Sequence, residues 1–373
     1  MANLVSPRED LDAPAIRSRL RNLMRTSLEQ LETLEAASDA QIDDWVCVIF
    51  DSMTTPGRFY HGVTHIFDLT DGMTDPICIL AVLFHDVVYL TIDKELSEVQ
   101  AQLLAATNHD HSHMVQRVFA MTPDSRCNEF LSAMIAVSVL QNTLSFEDCV
   151  RITACIEATI PFRRNDPMER LYERLEGLLL EDTREAVVQQ AVQVSHRDVG
   201  SFCSPDPYVF LESSWSLIPE WRPKIVTLHD WLDALRMMQG LYQKMDVTFI
   251  FPTFRGYPQD MDDKLDRTRS NLRIVGHYLR ARIAAVELLL QSGVTSWEDV
   301  RRVEDSFRVE EKAKYNCQVE ELLAKGRRRS YLWDPAQAPL AAHLCPYTYD
   351  DEAEMPSEVA EEVKARIQGC LSS

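Results

Sequence analysis

Residues 75–90 read DPICILAVLFHDVVYL, a stretch in which His85 and Asp86 interrupt an otherwise apolar run. A segment of this kind belongs in a protein interior, and periodicity alone does not separate a buried helix from a buried strand. Its length and the flanking Pro76 favour a helix, because proline suits a first helical turn. Asp86 then poses a problem. A carboxylate carried into a core without a partner costs several kcal/mol. Either a metal ion shared with the adjacent imidazole meets it, or a salt bridge from an Arg or Lys elsewhere in the chain.

Upstream, GRFYHGVTHIFDLT (57–70) carries His61 and His65 four residues apart. On a helix that spacing puts both side chains on one face, and imidazole is a common ligand of divalent transition metals. Two partly buried histidines satisfied by hydrogen bonds would have the same spacing. Downstream, VSHRDVGSF (194–202) places Asp198 after the apolar helical stretch AVVQQAVQV. Taken by itself, Asp198 reads as a helix cap or a surface acid.

The rest of the chain reads as helices. Ile16, Leu20, Leu23, Met24, Leu28, Leu31 and Leu34 recur at helical spacing over 13–36. SDAQ (38–41) and TSWE (295–298) are capping-box signatures, and Ser145 is a plausible N-cap for 145–160. Residues 93–107, 168–194, 224–248, 261–292 and 295–325 are further helical segments. The segment 203–223 holds four prolines and is expected to be a long packed connection. No Gly/Ser linker cuts the chain. The expected organisation is one all-α domain over residues 1–292, followed by a C-terminal helical extension with an acidic tail over 293–373.

Composition narrows the function classes. The formal charge of −20 argues against a nucleic-acid duplex as partner, since duplex binding needs Lys and Arg to neutralise phosphates. Eleven glycines are few, which favours helices over a turn-rich β architecture. Nine cysteines without a C-x-x-C pair suit a reducing compartment. MANLVSPREDLDAP lacks an apolar signal region, and no run approaches the length of a membrane span. A cytoplasmic location with no membrane partner is expected.

In chain order the polar elements are His, His-Asp and Asp, and with that order the chain resembles the HD-domain superfamily of metal-dependent phosphohydrolases. RFYHGVTHI (58–66) is similar to the Tyr-His-x-x-x-His-Ile/Ala element shared with cyclic-nucleotide phosphodiesterases. AVLFHDVVY (81–89) is similar to the family's His-Asp doublet segment. IEATIPF and HRDVGSF fall where the family has an Ile-x-x-Thr helix and its last Asp. The likeness covers residues 40–210 and extends toward 290.

The resemblance implies an HD-type helical bundle with His65, His85, Asp86 and Asp198 as ligands of one divalent ion, drawn from Mn, Fe, Co, Ni, Zn or Mg. It leaves His61 free to protonate a leaving oxygen, so that His61 and Asp86 are the catalytic pair. Arg58, Lys94, Arg163 and Arg164 are the cations expected to hold a small phosphorylated substrate, a nucleotide or a related phosphomonoester or phosphodiester. Glu95 falls where small members of the family have an acid near the metal water. Tyr89 and Thr91 occupy a region where two-metal phosphodiesterases carry a further histidine, which favours a single ion. NHDHSH (108–113) offers His109, Asp110 and His113 as replacement ligands, which an alternative HD-type di-iron oxygenase would need. The other alternative is an interaction protein with a vestigial pocket, suggested by RRR at 327–329 and the acidic tail.

Overall fold

The computed structural model describes residues 12–119, 128–162, 167–222, 225–256, 258–308, 339–348 and 355–372. Among these residues the protein is all-α, with seventeen helices and no strand. No helix among them is long and apolar enough to cross a membrane. Two compact units are present, one comprising residues 12–200 with 248–261, the other residues 201–247 with 262–372.

The first unit contains α1 (Ala13–Gln30), α2 (Asp39–Met53), α3 (Val63–Thr70), α4 (Pro76–Phe84), α5 (Leu90–Asp93), α6 (Glu98–Ala106), α7 (His109–Phe119), α8 (Asn128–Leu140), α9 (Phe146–Ala158), α10 (Met168–Arg174) and α11 (Glu181–Asp198). The opening stretch settles as the helix α4. Asp75 caps it by accepting from the backbone N–H of Ile77 and Cys78, and Pro76 occupies the first turn. Every residue from Ile77 to Phe84 is buried. A helix buried on all sides needs neighbours on all sides, and α4 has them in α1, α3, α8, α9 and α11. At about 1.5–3 kcal/mol per buried large aliphatic side chain, this one helix is a major source of the unit's stability.

Local signals place several helix ends. Ser38 and Gln41 form the expected capping box at α2. Ser97 and Gln100 form another at α6. The Ser145 hydroxyl accepts from the N–H of Asp148 at the start of α9.

The second unit contains α12 (Pro207–Trp221), α13 (Leu228–Gln243), α14 (Met261–Gln291, joined at its first residue to the other unit), α15 (Trp297–Arg308), α16 (Pro339–Leu344) and α17 (Ser357–Ser372). Here α12 overturns the expected connection. Pro207 opens the helix, where a missing N–H does little damage, whereas Pro219 lies inside the last turn and forfeits the bond an N–H would make four residues back. Between them Phe210, Leu211, Trp215 and Ile218 are buried. At α15 the cap is Ser296, whose hydroxyl accepts from the N–H of Asp299, one residue later than TSWE suggests.

The units do not follow a boundary at residue 292. After Gly200 the chain builds a second core that includes Phe210, Trp215, Leu235, Tyr278 and Phe307. The stretch expected as an extension supplies Val303, Leu340, Leu344, Val363 and Ile367 to that same core. Residues 248–261 belong with the first unit because Phe254 joins its core and His196 Nε2 donates to the Pro252 carbonyl at 2.7 Å. The basic segment at 325–330 lies outside the described residues.

Candidate metal centre

The site forms at three helix ends within the first unit. α4 stops at Phe84 and His85 is its C-cap residue. A helix end leaves carbonyls without intrahelical donors, and His85 Nδ1 serves one of them by donating to the Val82 carbonyl at 2.8 Å. A carbonyl only accepts, so Nδ1 carries a proton and Nε2 is the nitrogen that faces the site. Residues 85–89 then leave the helical path. Arg58, Gln100 and Ser132 meet their backbone groups: Arg58 Nη1 donates to Asp86 O at 2.5 Å, Gln100 Nε2 to Val87 O at 2.9 Å, and Ser132 Oγ accepts from Val88 N at 3.1 Å.

His65 projects from α3 and Asp198 is the last residue of α11. His65 Nε2 lies 2.9 Å from Asp198 Oδ1. His85 Nε2 lies 3.6 Å from the same oxygen and 2.9 Å from Asp86 Oδ2. One donor atom each from His65, His85 and Asp198 falls within 4.8 Å of the others, the only group of three or more such side chains found among the described residues. Asp86 flanks this trio through its contact with His85.

His61 stands differently from its sequence expectation. α3 begins at Val63 with Gly62 as N-cap, so His61 lies in the turn before the helix and shares no helical face with His65. Gly62 permits the turn by close approach. A Cβ there would lie 3.2 Å from the Arg58 carbonyl and 3.5 Å from that of Met53. The His61 and His65 rings still come within 6.2 Å of one another. The nearer neighbour is Tyr89, its ring centroid 4.3 Å from that of His61 at 31°. Tyr60 adds an edge at 4.8 Å, and its hydroxyl donates to the Asp198 carbonyl at 3.4 Å.

The electrostatics favour a charged site. Burial alone would raise the Asp86 carboxyl's pKa, yet His85, His61 and His65 outweigh it and hold that carboxyl far below the usual carboxylate range. Asp198 follows the same pattern: burial pushes up, His65 and His85 pull down, and the result is about 2. For His85 burial pulls the pKa down, but Asp86 and Asp198 raise it well above the ordinary imidazole value.

These residues fit a divalent cation. His85 Nε2 and Asp86 Oδ2 are fully buried and, despite their short separation, neither makes a directed hydrogen bond. Buried polar atoms are rarely left in that condition without a ligand or a catalytic role. A mixed imidazole and carboxylate donor set suits Mn, Fe, Co, Ni or Zn better than Ca. The proton on His85 Nδ1, held by a backbone carbonyl, orients the ring as metal-binding histidines require.

Compared with protein-family models, with curated proteins and with solved structures, the chain matches none.

The other expected positions are placed less favourably. Arg58 is not available to a substrate. Its side chain is fully buried, paired with Asp93 Oδ2 at 2.5 Å and donating to two backbone carbonyls. Lys94 and Glu95 are exposed. Glu95 lines a groove of about 720 Å³ together with Asp44, Trp45, Asp51 and Asp93, whose walls include none of His65, His85, Asp86 and Asp198. Arg163 and Arg164 lie outside the described residues. His109 and Asp110 are almost wholly exposed on α7, and among the described residues they join no cluster of three potential ligands. The sequence reading missed Asp93, Gln100 and Ser132. Ser132 carried a signal, a hydroxyl inside the apolar run FLSAMIAVSVL, where a buried polar group needs a partner.

Proposed function

We propose that this protein is a metal-dependent hydrolase of small phosphate esters, of HD-domain type, acting on a nucleotide or a related phosphomonoester or phosphodiester. The observation that carries the reading is the convergence of His65, His85 and Asp198 from three distant segments, with the buried Asp86 carboxylate against His85. In this reading His65, His85, Asp86 and Asp198 hold one divalent ion. When bound, such an ion supplies Lewis acidity toward water and toward a phosphoryl oxygen.

The chain's own residues supply the rest. Asp86 and Asp198 are held ionised by the surrounding histidines, so they present negative charge to a cation without first losing a proton. His85 is aimed by its bond to Val82. His61 stands beside the ligands but outside the close trio, braced by Tyr89 and Tyr60. A histidine in that place is suited to deliver a proton to a departing oxygen, since imidazole titrates near neutral pH. The apolar helices around α4 bury most of the ligand side chains and strengthen the electrostatics of the site. Arg58 is removed from the phosphate-binding set. The seven cysteines among the described residues, four of them buried, form no disulfide there, which supports a reducing compartment such as the cytosol.

The test is metal analysis of the purified protein combined with a panel of phosphomonoesters, phosphodiesters and nucleotides. The expected result is a stoichiometric divalent metal, turnover of at least one class, and loss of both in Asp86→Ala. Turnover that survives chelation and Asp86→Ala would refute the proposal.

A further inference from the structure

The buried pair Arg58–Asp93 lies outside the expected ligand set yet touches both halves of the site. We propose that this ion pair is a positioning element that holds the metal ligand Asp86 and the proton donor His61 in one arrangement. The inference rests on the metal-centre reading above and deepens it.

Arg58 reaches the doublet directly. Its Nη1 donates to Asp86 O at 2.5 Å and its Nη2 to Val87 O at 3.4 Å. The guanidinium is anchored by Asp93, Nε to Oδ1 at 3.4 Å and Nη2 to Oδ2 at 2.5 Å. The same Asp93 Oδ2 accepts from Tyr89 N at 2.9 Å. Tyr89 in turn lays its ring on that of His61, 4.3 Å between centroids, and the Arg58 guanidinium lies 5.7 Å from the centroid of the same Tyr89 ring. One ion pair therefore grips the backbone at Asp86, Val87 and Tyr89, and through Tyr89 it fixes His61.

Stability alone does not explain the choice of residues. A buried ion pair is often no more stabilising than apolar side chains of similar volume. What it provides is direction. Residues 85–89 follow neither helix nor strand, so the position of Asp86 is not set by a repeating hydrogen-bond ladder. It is set by the donors that meet its carbonyls, and a planar guanidinium with several N–H groups can hold two carbonyls and a carboxylate at once.

Two variants of the full chain test this, with Co²⁺ as probe. In Asp93→Asn the anchor loses its charge. In Arg58→Met/Asp93→Leu the pair is replaced by apolar side chains that fill the same interior. The expected outcome is Co²⁺ binding weakened by about tenfold or more, with a changed visible d–d spectrum in both variants. A merely structural pair would move the melting temperature and leave the Co²⁺ spectrum and affinity alone, and that result overturns the proposal. Failure of the underlying reading looks different: the parent protein itself would bind no Co²⁺, or Asp86→Ala would retain the parent spectrum.

Discussion

Loading the site at mildly alkaline pH should expel one proton for each ion bound. The structure sets that number. Asp86 is held far below the carboxylate range and Asp198 at about 2, so neither has a proton to lose. For His85 the charges of Asp86 and Asp198 raise its pKa well above the ordinary imidazole value despite burial. Its Nε2 must shed a proton before it can bind a metal. Between the ordinary histidine value and the raised one, affinity should therefore climb by about tenfold per pH unit, close to 1.4 kcal/mol. Calorimetric titration with Mn²⁺ or Co²⁺ in buffers of different ionisation enthalpy counts the proton directly. The same linkage acts on folding. A raised histidine pKa stabilises the metal-free fold below about pH 6.5, and that contribution is lost as pH rises through the folded value. Protein in chelator should lose stability on that rise, and metal-loaded protein should not. Tight binding with no buffer-dependent heat and no slope in affinity would show that His85 is neutral beforehand and that the electrostatic reasoning is wrong.

Other outcomes follow from the same geometry. His61→Ala should keep the metal while turnover falls by about 10²–10⁴-fold; loss of the metal instead would mean that His61 is a ligand and that its separation from the trio misleads. Gly62→Ala should cost about 1–3 kcal/mol in urea unfolding, because the new Cβ meets the Arg58 carbonyl at 3.2 Å and backbone cannot easily retreat.

Helix content and the buried course of α4 were legible before any coordinates, because caps, apolar spacing and proline position act over a few residues. Asp75, Pro76 and the apolar run after them contain the information for that helix locally. The requirement that Asp86 find a partner was legible too, since the cost of burying a charge does not depend on knowing the neighbour. What the partner is did not follow. Metal and basic side chain both remained open as partners; in the structure the Asp86 carboxylate meets His85, while Arg58 meets the Asp86 carbonyl. Arg58 was expected to face a phosphate and instead points inward, a choice made by Asp93, 35 residues away.

Local pattern also failed where helix boundaries mattered. Four-residue spacing made His61 and His65 look like one helical face, but Gly62 starts α3 too late to include His61. Four prolines made 203–223 look like a connection, but two of them fall at helix ends and the apolar residues between them had a second core to enter. By itself the sequence determined an all-α chain with a costly histidine and carboxylate in its most apolar segment. Tertiary structure alone decided that Asp198, 133 residues beyond His65, would arrive within hydrogen-bonding distance of it. The reason is range: propensity and capping are settled within a turn or two, whereas a ligand cluster depends on how whole helices pack.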